Sequence, residues 1–371
     1  MVFRILRPNS HSVWQNEEIL KRFSKYRGIL DGNRIARYLI AKSLECNYNL
    51  EKDSLESLEK LLKEKSIEFN NLLKNESDDL KNREFKSPSY IDLAETIARK
   101  YLESCIFCER KCGINRLQDE KGYCLLTKDS YVSSAFLHYG EESVLIPSGT
   151  IFFQSCNFGC VFCQNYDISQ AWKGRRNIED IAQKVEIRSL AAIAERLVEK
   201  GAFNINYVGG DPIPNLHTIV GSLKYQTSNI CQLWNSNFYL TNKSLSLVID
   251  FMDFWLPDFK YGNNQCAEKY SGIKNYFDVV SRNHKRIHEE GSGEIIIRHL
   301  VMPNHVECCS KPILDYVAKE IPKCVLNIMG QYRPQYKANK YKEINRYPTS
   351  REMAEVKNYA EKLGILFEPV S

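Results

Sequence analysis

Three cysteines in the middle of the chain, Cys156, Cys160 and Cys163, have a spacing that could do chemistry. They form a C-x3-C-x2-C pattern on one short segment that follows an apolar run. A structural zinc site takes four ligands, so three thiolates do not close one, but they can hold three irons of a [4Fe–4S] cube. The fourth iron is then open to a substrate or cofactor, whereas an electron-transfer cluster has four thiolates. The spacing therefore predicts chemistry at a cluster; the alternative is that the three cysteines pack as small apolar groups.

A second group of cysteines precedes the first. It has the spacing C-x2-C-x3-C-x11-C and consists of Cys105, Cys108, Cys112 and Cys124. Gly113 and Gly122 permit tight turns, so the group predicts a small metal knuckle. Four sulfurs suit zinc and an iron–sulfur cluster equally, and the sequence leaves both open. The alternative is a plain structural loop.

The composition bounds the class of protein. The chain has 371 residues, of which 43% are hydrophobic, enough for one large domain or one large and one small domain. An odd number of cysteines, 13, without a secretory signal favours metal ligation in a reducing, cytoplasmic location. No apolar run is long enough for a membrane span, and a net charge of +5 is too small to indicate a nucleic-acid partner. The remaining cysteines are predicted to be buried apolar residues: Cys46, Cys231, Cys266, Cys308, Cys309 and Cys324.

The first hundred residues differ from the rest in being rich in Lys, Glu, Asn and Leu, with one cysteine. Apolar residues at steps of three and four predict helices over 33–47, 55–75 and 91–103. The polar segment 75–89 predicts a linker. Strands are predicted over 131–139 and 144–146. We therefore expect a helical cap or arm that leads into the cysteine-rich segment.

From residue 149 onward, strand-like and helix-like segments alternate. Strands are predicted over 150–154, 203–208, 230–234, 254–259, 294–301 and 324–329. Helices are predicted over 187–200, 214–225, 244–251, 276–289, 310–320 and 350–363. Six β/α units predict a parallel sheet wrapped by helices, with too few units for a closed eight-unit barrel.

Ligands of parallel α/β folds bind at the carboxyl ends of strands, and polar residues lie there in this sequence. Asp258 and Lys260 point to the same side of an extended chain and could hold the opposite charges of an amino-acid group; the alternative is a surface ion pair. Arg298 follows three isoleucines, and because a buried unpaired charge is costly, it is predicted to face a carboxylate. Its neighbour His299 is predicted to be a structural histidine with satisfied hydrogen bonds. Asn235, after the third strand, could bind a ribose or carboxylate or simply cap a turn.

Several motifs in order resemble a known family. The three-cysteine motif, with the aromatic Phe162 before its last cysteine, resembles the signature of radical S-adenosylmethionine (radical SAM) enzymes. Residues 100–365 resemble the pyruvate formate-lyase-activating-enzyme-like (PflX-type) radical SAM proteins. The segments that carry this resemblance include CIFCERKCGINR, LHYGEES, SGTIFFQSCNFGCVFCQNYDISQ, FNINYVGGDPIPN, LPDFKYG, IRHLVMPN and NIMGQYRP.

The resemblance implies a fold, cofactors and site residues. The implied fold is an α/β chain with a partial (β/α)6 TIM-like barrel over 149–371, a helical N-terminal region over 1–100 and a small cysteine-rich metal knuckle over 101–148. The implied cofactors are a [4Fe–4S] cluster on the three-cysteine motif and SAM, with a possible second metal, zinc or iron–sulfur, on the other cysteines. Phe162 would lie near the adenine, and the Gly209-Gly210-Asp211 turn would receive the amino group of SAM. The other implied SAM contacts are Asn235, Asp258, Lys260, Arg298 and Gln331, the last in a place where activating enzymes carry a histidine.

The resemblance also implies an activity. A low-potential electron donor of the ferredoxin or flavodoxin type would allow reductive cleavage of SAM, followed by hydrogen abstraction from a small molecule or a protein. A glycyl radical enzyme is one such protein target. The alternative is a non-catalytic iron–sulfur or zinc protein for electron relay or redox sensing, with four protein ligands at each site. Adjacent Cys308 and Cys309 could reach the barrel interior instead of packing as apolar residues.

Overall fold

The computed structural model describes residues 9–49, 51–74 and 84–367. The strands are β1 Ser130–His138, β2 Ser148–Phe153, β3 Gln183–Val185, β4 Asn204–Gly209, β5 Cys231–Ser236, β6 Phe254–Pro257, β7 Ile296–Leu300 and β8 Val325–Met329. The α-helices are α1 Asn9–Ser12, α2 Glu17–Arg22, α3 Ser24–Leu30, α4 Arg37–Lys42, α5 Leu55–Lys74, α6 Tyr90–Lys100, α7 Ile187–Glu199, α8 Leu216–Leu223, α9 Asn242–Ser246, α10 Asn264–Ser271, α11 Tyr276–Glu289, α12 Lys311–Glu320 and α13 Ser350–Lys362. π-Helical turns follow β2 and β7, at Asp167–Ala171 and Val306–Ser310.

Six of these strands run parallel and in chain order. β2, β4, β5 and β6 are neighbours in one sheet, and β7 pairs with β8 in another. Parallel bridges from Trp255 to Ile295 and from Asp258 to Arg298 connect β6 to β7, so the six strands form an open barrel. β1 and β3 extend the β2 edge in antiparallel order. The predicted fold class is confirmed, and each predicted barrel strand ends within two residues of its observed bounds.

The N-terminal helices cover the end of the barrel at which the strands begin. In α4, the backbone N–H of Arg37 donates to Asp253, which precedes β6 (2.9 Å). Glu294, which precedes β7, accepts the backbone N–H groups of Lys25 (2.6 Å) and Tyr26 (2.7 Å). Helix α5 buries the apolar face that its sequence spacing predicts: Leu58, Leu62 and Phe69. The N-terminal helices thus leave the opposite end of the barrel, where the strands finish, uncovered. The division of the chain into domains at residues 100 and 148 stays a prediction.

Some predicted elements are corrected. Residues 144–146 form a buried turn and not a strand, because an apolar run is compatible with either and periodicity does not separate them. The helix expected over 244–251 is limited to α9, after which the chain continues in turns, and the one expected over 33–47 is limited to α4. Residues 75–83 of the predicted linker lie outside the described residues.

Candidate active site

The loop after β2 brings the three-cysteine motif to the carboxyl end of the barrel. Cys156 and Cys160 are buried, and Cys163 is half-buried. Burial raises the pKa of all three thiols, that of Cys160 to about 11. Because iron and zinc bind thiolates, loading this loop must release the thiol protons.

Each of the three sulfurs has a hydrogen-bond partner on the protein. These contacts are Phe158 N to Cys156 Sγ (3.3 Å), Ser271 Oγ to Cys160 Sγ (2.9 Å) and Ser169 Oγ with Cys163 Sγ (3.1 Å). Hydrogen bonds to ligand sulfurs tune the reduction potential of an iron–sulfur cluster. The loop thus offers three thiols together with outer contacts that suit a cluster.

The Gly209-Gly210-Asp211 turn at the end of β4 lies directly against the cysteine loop. Gly209 has a φ of +119°, and a Cβ on Gly210 would lie 1.8 Å from the carbonyl oxygen of Ser155. Gly210 N donates to Phe153 O (2.8 Å), and Asp211 N donates to Ser155 O (2.9 Å). The close backbone approach that the two glycines permit is therefore made to the protein's own loop.

The Asp211 carboxylate joins two loops beneath the site. It accepts the backbone N–H groups of Ile213 (2.9 Å) and Asn237 (2.8 Å), and burial raises its pKa to about 7. Asn237 in turn places its Nδ2 atom 3.7 Å from Cys156 Sγ. Asp211 thus fixes the loop after β5 next to the cysteine loop.

Asp258 and Lys260 form an ion pair after β6. The exposed fractions of the two side chains are 23% and 17%, so this is not a pair on the open surface. Burial lowers the pKa of Lys260, but the Asp258 carboxylate outweighs burial, and the pKa is raised overall. Tyr276 Oη accepts the Lys260 backbone N–H (2.9 Å), which fixes the start of the lysine side chain.

One cavity of about 210 Å³ collects the predicted site residues. Its lining includes all three motif cysteines and all nine predicted SAM contacts: Cys156, Cys160, Cys163, Phe162, Gly209, Gly210, Asp211, Asn235, Asp258, Lys260, Arg298 and Gln331. Among the described residues that line it, neither a fourth cysteine nor a histidine is present. The donor set therefore fits a [4Fe–4S] cluster that would be held by three thiolates and would have one iron without a protein ligand.

Arg298 in β7 pairs with two buried glutamates from the loop after β1. Its Nε and Nη2 atoms donate to Glu142 (2.7 Å each), and Nη2 also pairs with Glu141. Burial raises the pKa of Glu141, but Arg298 and His138 lower it to about 2. The carboxylate predicted to face Arg298 is thus supplied by the chain itself. Sequence reasoning missed both glutamates, although adjacent acids before the apolar residues 144–146 are a detectable signal.

A second cavity, of about 240 Å³, adjoins the first. The residues shared by both linings are Asn165, Val208, Asn235, Arg298, Met329 and Gln331. Asn235 Nδ2 and Asn327 Oδ1, on residues that line the second cavity, are buried without a partner among the described residues. Buried amide atoms are rarely left unpaired, so these two atoms are unsatisfied hydrogen-bonding groups on residues of the cavity wall.

Phe162 and His299 are both buried; His299 has the structural role predicted for it, whereas the contact of Phe162 with adenine stays a prediction. Phe162 is buried, with its ring centroid 5.4 Å from that of Tyr332. His299 is buried, with Nδ1 2.8 Å from Phe259 O and Nε2 2.8 Å from Ser310 Oγ. Burial lowers the pKa of His299 to about 4, so the ring is neutral and serves packing.

The second cysteine group lines a small cavity beside the first site, together with Asn157. The Asn157 amide lies next to Cys108, and its Oδ1 atom is 3.7 Å from Cys156 Sγ. Lys173 Nζ donates to the carbonyl of Cys156 (2.8 Å), in the three-cysteine motif, and to that of Tyr123 (3.3 Å), in the segment of the second cysteine group. The two cysteine groups are therefore adjacent.

Two of the remaining cysteines are not buried as predicted. Cys308 is exposed and Cys266 is half-buried, because both lie where α10 and the Val306–Ser310 turn meet the surface. The others are buried: Cys46, Cys231, Cys309 and Cys324. Cys308 and Cys309 lie outside the linings of both barrel cavities.

Residues 150–317 match the sequence model of the radical SAM superfamily. An uncharacterised protein of Methanocaldococcus jannaschii is 42% identical over 347 residues, which cover 93% of this chain and 98% of that protein. The chain belongs to the radical SAM superfamily. It shares a family with the Methanocaldococcus protein. Because of the superfamily match, this radical SAM protein is an enzyme that uses a [4Fe–4S] cluster and SAM.

Two solved structures are similar to this radical SAM protein at low sequence identity. Streptococcus suis SuiB bound to the precursor peptide SuiA is 14% identical with a TM-score of 0.41, over 58% of this chain and 46% of SuiB. The chain thus spans less than half the length of SuiB. A radical SAM methyltransferase from Sphaerobacter thermophilus is 10% identical with a TM-score of 0.41, over 86% of this chain and 94% of that one. Within the described part of the chain, no helix combines the length and apolar character of a membrane span.

Proposed function

We propose that this radical SAM enzyme binds SAM in the 210 Å³ cavity and abstracts a hydrogen atom from a polar substrate in the adjoining 240 Å³ cavity. The observation that carries the proposal is that one cavity is lined by the three motif cysteines and all nine predicted SAM contacts. Cys156, Cys160 and Cys163 would hold the cluster. When bound, the cluster supplies the electron that cleaves SAM to methionine and a 5'-deoxyadenosyl radical.

The roles proposed for the chain's own residues follow from their charges and positions. The Lys260 cation suits the methionine carboxylate, and its pairing with Asp258 holds it in place before SAM arrives. The Gly209-Gly210-Asp211 turn would receive the amino group, and Phe162 would pack against the adenine. Asn235, on the boundary of both cavities, would contact the ribose.

The adjoining cavity supports the small-molecule or side-chain branch of the reaction. Its volume suits a small polar group, and unpartnered atoms of Asn235 and Asn327 offer a donor and an acceptor. Arg298, already neutralised by Glu141 and Glu142, shapes the wall without presenting a free charge. Activation of a glycyl radical enzyme stays the alternative reaction. Membership of the pyruvate formate-lyase-activating-enzyme-like (PflX-type) group within the superfamily is also part of the proposal.

Anaerobic reconstitution followed by electron paramagnetic resonance (EPR) tests the main proposal. The signal of the reduced cluster should change on addition of SAM, and 5'-deoxyadenosine should form. Cys160→Ala should lose about four irons per chain and both responses, because one thiolate ligand is missing. Cys324→Ala, a buried cysteine below the barrel, is the matched control and should keep them. A reduced signal that SAM does not alter would favour the non-catalytic alternative.

A fractionated extract distinguishes the two substrate branches. Formation of 5'-deoxyadenosine should be stimulated by the ultrafiltrate of a cell extract if the target is a small molecule. Stimulation only by the retained macromolecules, with a stable glycyl radical signal in EPR, would support the alternative branch.

We also propose that the second cysteine group binds a metal, zinc or an iron–sulfur cluster, at the residues Cys105, Cys108, Cys112 and Cys124. Its contact with the first site through Asn157 supports either an electron relay to the catalytic cluster or a zinc that braces the cysteine loop. Metal analysis of a Cys105→Ser/Cys108→Ser variant decides. Loss of about four irons identifies a cluster, and loss of one zinc identifies a knuckle.

The remaining part of the proposal concerns the environment in which the enzyme works. Reductive cleavage of SAM needs a low-potential donor, for which ferredoxin or flavodoxin is proposed. The 13 cysteines support a reducing compartment such as the cytoplasm. Turnover with each purified donor, in place of a chemical reductant, tests this part.

A further inference from the structure

We infer that Cys266, His305 and Cys308 form a zinc site, separate from both cysteine groups described above. The two sulfurs and one imidazole nitrogen all lie within 4.8 Å of one another. Tetrahedral zinc, with Zn–S of about 2.3 Å and Zn–N of about 2.0 Å, holds its ligand atoms about 3.5–3.8 Å apart. Small side-chain movements are therefore enough to close the three ligands on one ion.

The ligands come from two segments at the carboxyl end of the barrel. Cys266 lies in the first turn of α10, which follows β6, while His305 and Cys308 follow β7. The backbones of these segments already touch, since a Cβ on Gly262 would lie 2.5 Å from Cys309 O. The fold thus brings together the backbones of the two segments that carry the ligands.

Asn263 links the two sulfur ligands. Its Oδ1 atom accepts the backbone N–H of Cys266 (2.8 Å), and its Nδ2 atom donates to Cys308 O (2.7 Å). The same Nδ2 atom lies 3.4 Å from Cys266 Sγ. One side chain therefore orients both cysteines, as outer contacts of metal sites do.

The hydrogen bond from His305 to Pro303 fixes the tautomer whose lone pair lies on Nε2. Its Nδ1 atom lies 2.6 Å from the carbonyl oxygen of Pro303, which accepts a proton only from an Nδ1–H group. The Nε2 lone pair is then left for the ion. The ring is buried and packs edge-on against Tyr270, with centroids 5.1 Å apart, so its direction is fixed.

The ligand chemistry selects the ion. Two thiolates with an imidazole favour zinc over the oxygen-seeking Mg²⁺ and Ca²⁺. The fourth position of a structural zinc would fall to Cys309, whose Sγ atom lies 3.9 Å from Cys308 Sγ.

The site joins parts of the chain that serve the SAM cavity. It ties the segment after β7 to α10, whose other end carries Ser271, the hydrogen-bond donor to Cys160. A bound zinc would brace α10 between these two points. Removal of zinc should therefore lower the thermal midpoint of the holoenzyme while its iron content stays the same.

Metal analysis of the full-length, anaerobically prepared enzyme with reduced thiols tests the inference. The parent should hold one zinc that is absent from Cys266→Ser and from His305→Gln, whereas Cys324→Ser should keep it. Co²⁺ added after removal of zinc should give the parent the absorption bands of a tetrahedral site with cobalt–thiolate bonds, and the two variants should lack those bands. His305→Gln leaves every cysteine in place, so it keeps the test valid if Cys266→Ser folds poorly.

The second cysteine group requires its own control, because it is also a proposed metal site. In the Cys105→Ser/Cys108→Ser background, the zinc and cobalt signals assigned here should persist and should still be lost with His305→Gln. Equal zinc content and equal cobalt spectra in the parent, Cys266→Ser and His305→Gln would overturn the inference.

Discussion

Ser271 and Cys160 connect helix α10 to the cysteine loop through one hydrogen bond. The Ser271 hydroxyl donates to Cys160 Sγ at 2.9 Å and lies 2.6 Å from Tyr261 Oη. All three residues are buried. The backbone repeats the link, because Gly159 N donates to Ser271 O (3.0 Å). The end of α10 therefore sets both the position of the loop and the electronic surroundings of one cluster ligand.

Ser271→Ala should lower the reduction potential of the cluster. A hydrogen bond to a ligand sulfur stabilises the reduced, more negative state, and a bond of about 1 kcal/mol corresponds to roughly 40 mV for one electron. An EPR-monitored redox titration measures the shift. Ser281→Ala, which removes a buried hydroxyl from α11, is the matched control. Equal potentials in the two variants would show that the Ser271 contact has no electronic role.

Lys260→Met should weaken the binding of SAM by about 10- to 100-fold, because a charge-assisted hydrogen bond to a carboxylate contributes about 1.5–3 kcal/mol. The KM for SAM in 5'-deoxyadenosine formation, or direct binding to the oxidised enzyme, measures the loss. Lys285→Met removes an exposed lysine that pairs with Glu320 and should leave the KM unchanged. Normal SAM affinity in Lys260→Met would remove this residue from the proposed binding set.

The barrel and the main cavity could be predicted because their signals are local in the sequence. Each parallel strand is a short apolar run bounded by Gly, Pro or polar residues, and β4 and β5 lie within two residues of their predicted bounds. Once the strands are known to be parallel, the residues that follow them must meet at one edge. This reasoning placed Asp258 and Lys260 beside the cysteine loop, as the structure has them.

The features that were missed depend on contacts between distant segments. Glu142 precedes β2, and its partner Arg298 lies in β7, so no spacing in the sequence connects them. The same is true of Cys266 and Cys308, which meet only because the loops after β6 and β7 are neighbours. The turn at 144–146 was misassigned for a different reason, since an apolar run does not reveal whether its backbone is paired.

Arg298→Met should destabilise the enzyme by about 3–5 kcal/mol, because it leaves Glu141 and Glu142 buried without their cation. The thermal midpoint, measured anaerobically at neutral pH, should fall by several degrees. Arg346→Met, which removes a more exposed pair with Glu352, should have a small effect.

The ion pair between Arg298 and Glu141 should also weaken in acid. The pKa of Glu141 is lowered to about 2, below the ordinary value of 4.5, so the stabilisation is present above pH 4.5 and is lost as the pH falls toward 2. For the substitution itself, a thermal midpoint of Arg298→Met equal to that of the Arg346→Met control would contradict the stabilising role of Arg298 between the two glutamates.

Glu294 should make the enzyme less stable as the pH rises. Its carboxyl is buried against α3, where it accepts the backbone N–H groups of Lys25 and Tyr26, and burial raises its pKa to about 8. The pKa of Glu294 in the folded state lies above the ordinary value of 4.5. The contribution of the protonated Glu294 carboxyl to stability is therefore complete below pH 4.5 and is lost as the pH rises through 8. One group of this kind changes the free energy of unfolding by at most about 1.4 kcal/mol per pH unit.

Glu294→Gln keeps an oxygen acceptor and carries no charge, so its thermal midpoint should vary less between pH 5 and pH 8, an interval set by this raised pKa. Asp253 and Asp211, whose pKa values burial raises to about 6 and about 7, act in the same direction, and a residual slope below pH 7 should therefore remain in the variant. Midpoints recorded at constant ionic strength for the parent and Glu294→Gln check this. Parallel curves over the whole interval would mean that Glu294 titrates alike in the folded and unfolded chain, and that its contact with α3 does not depend on charge.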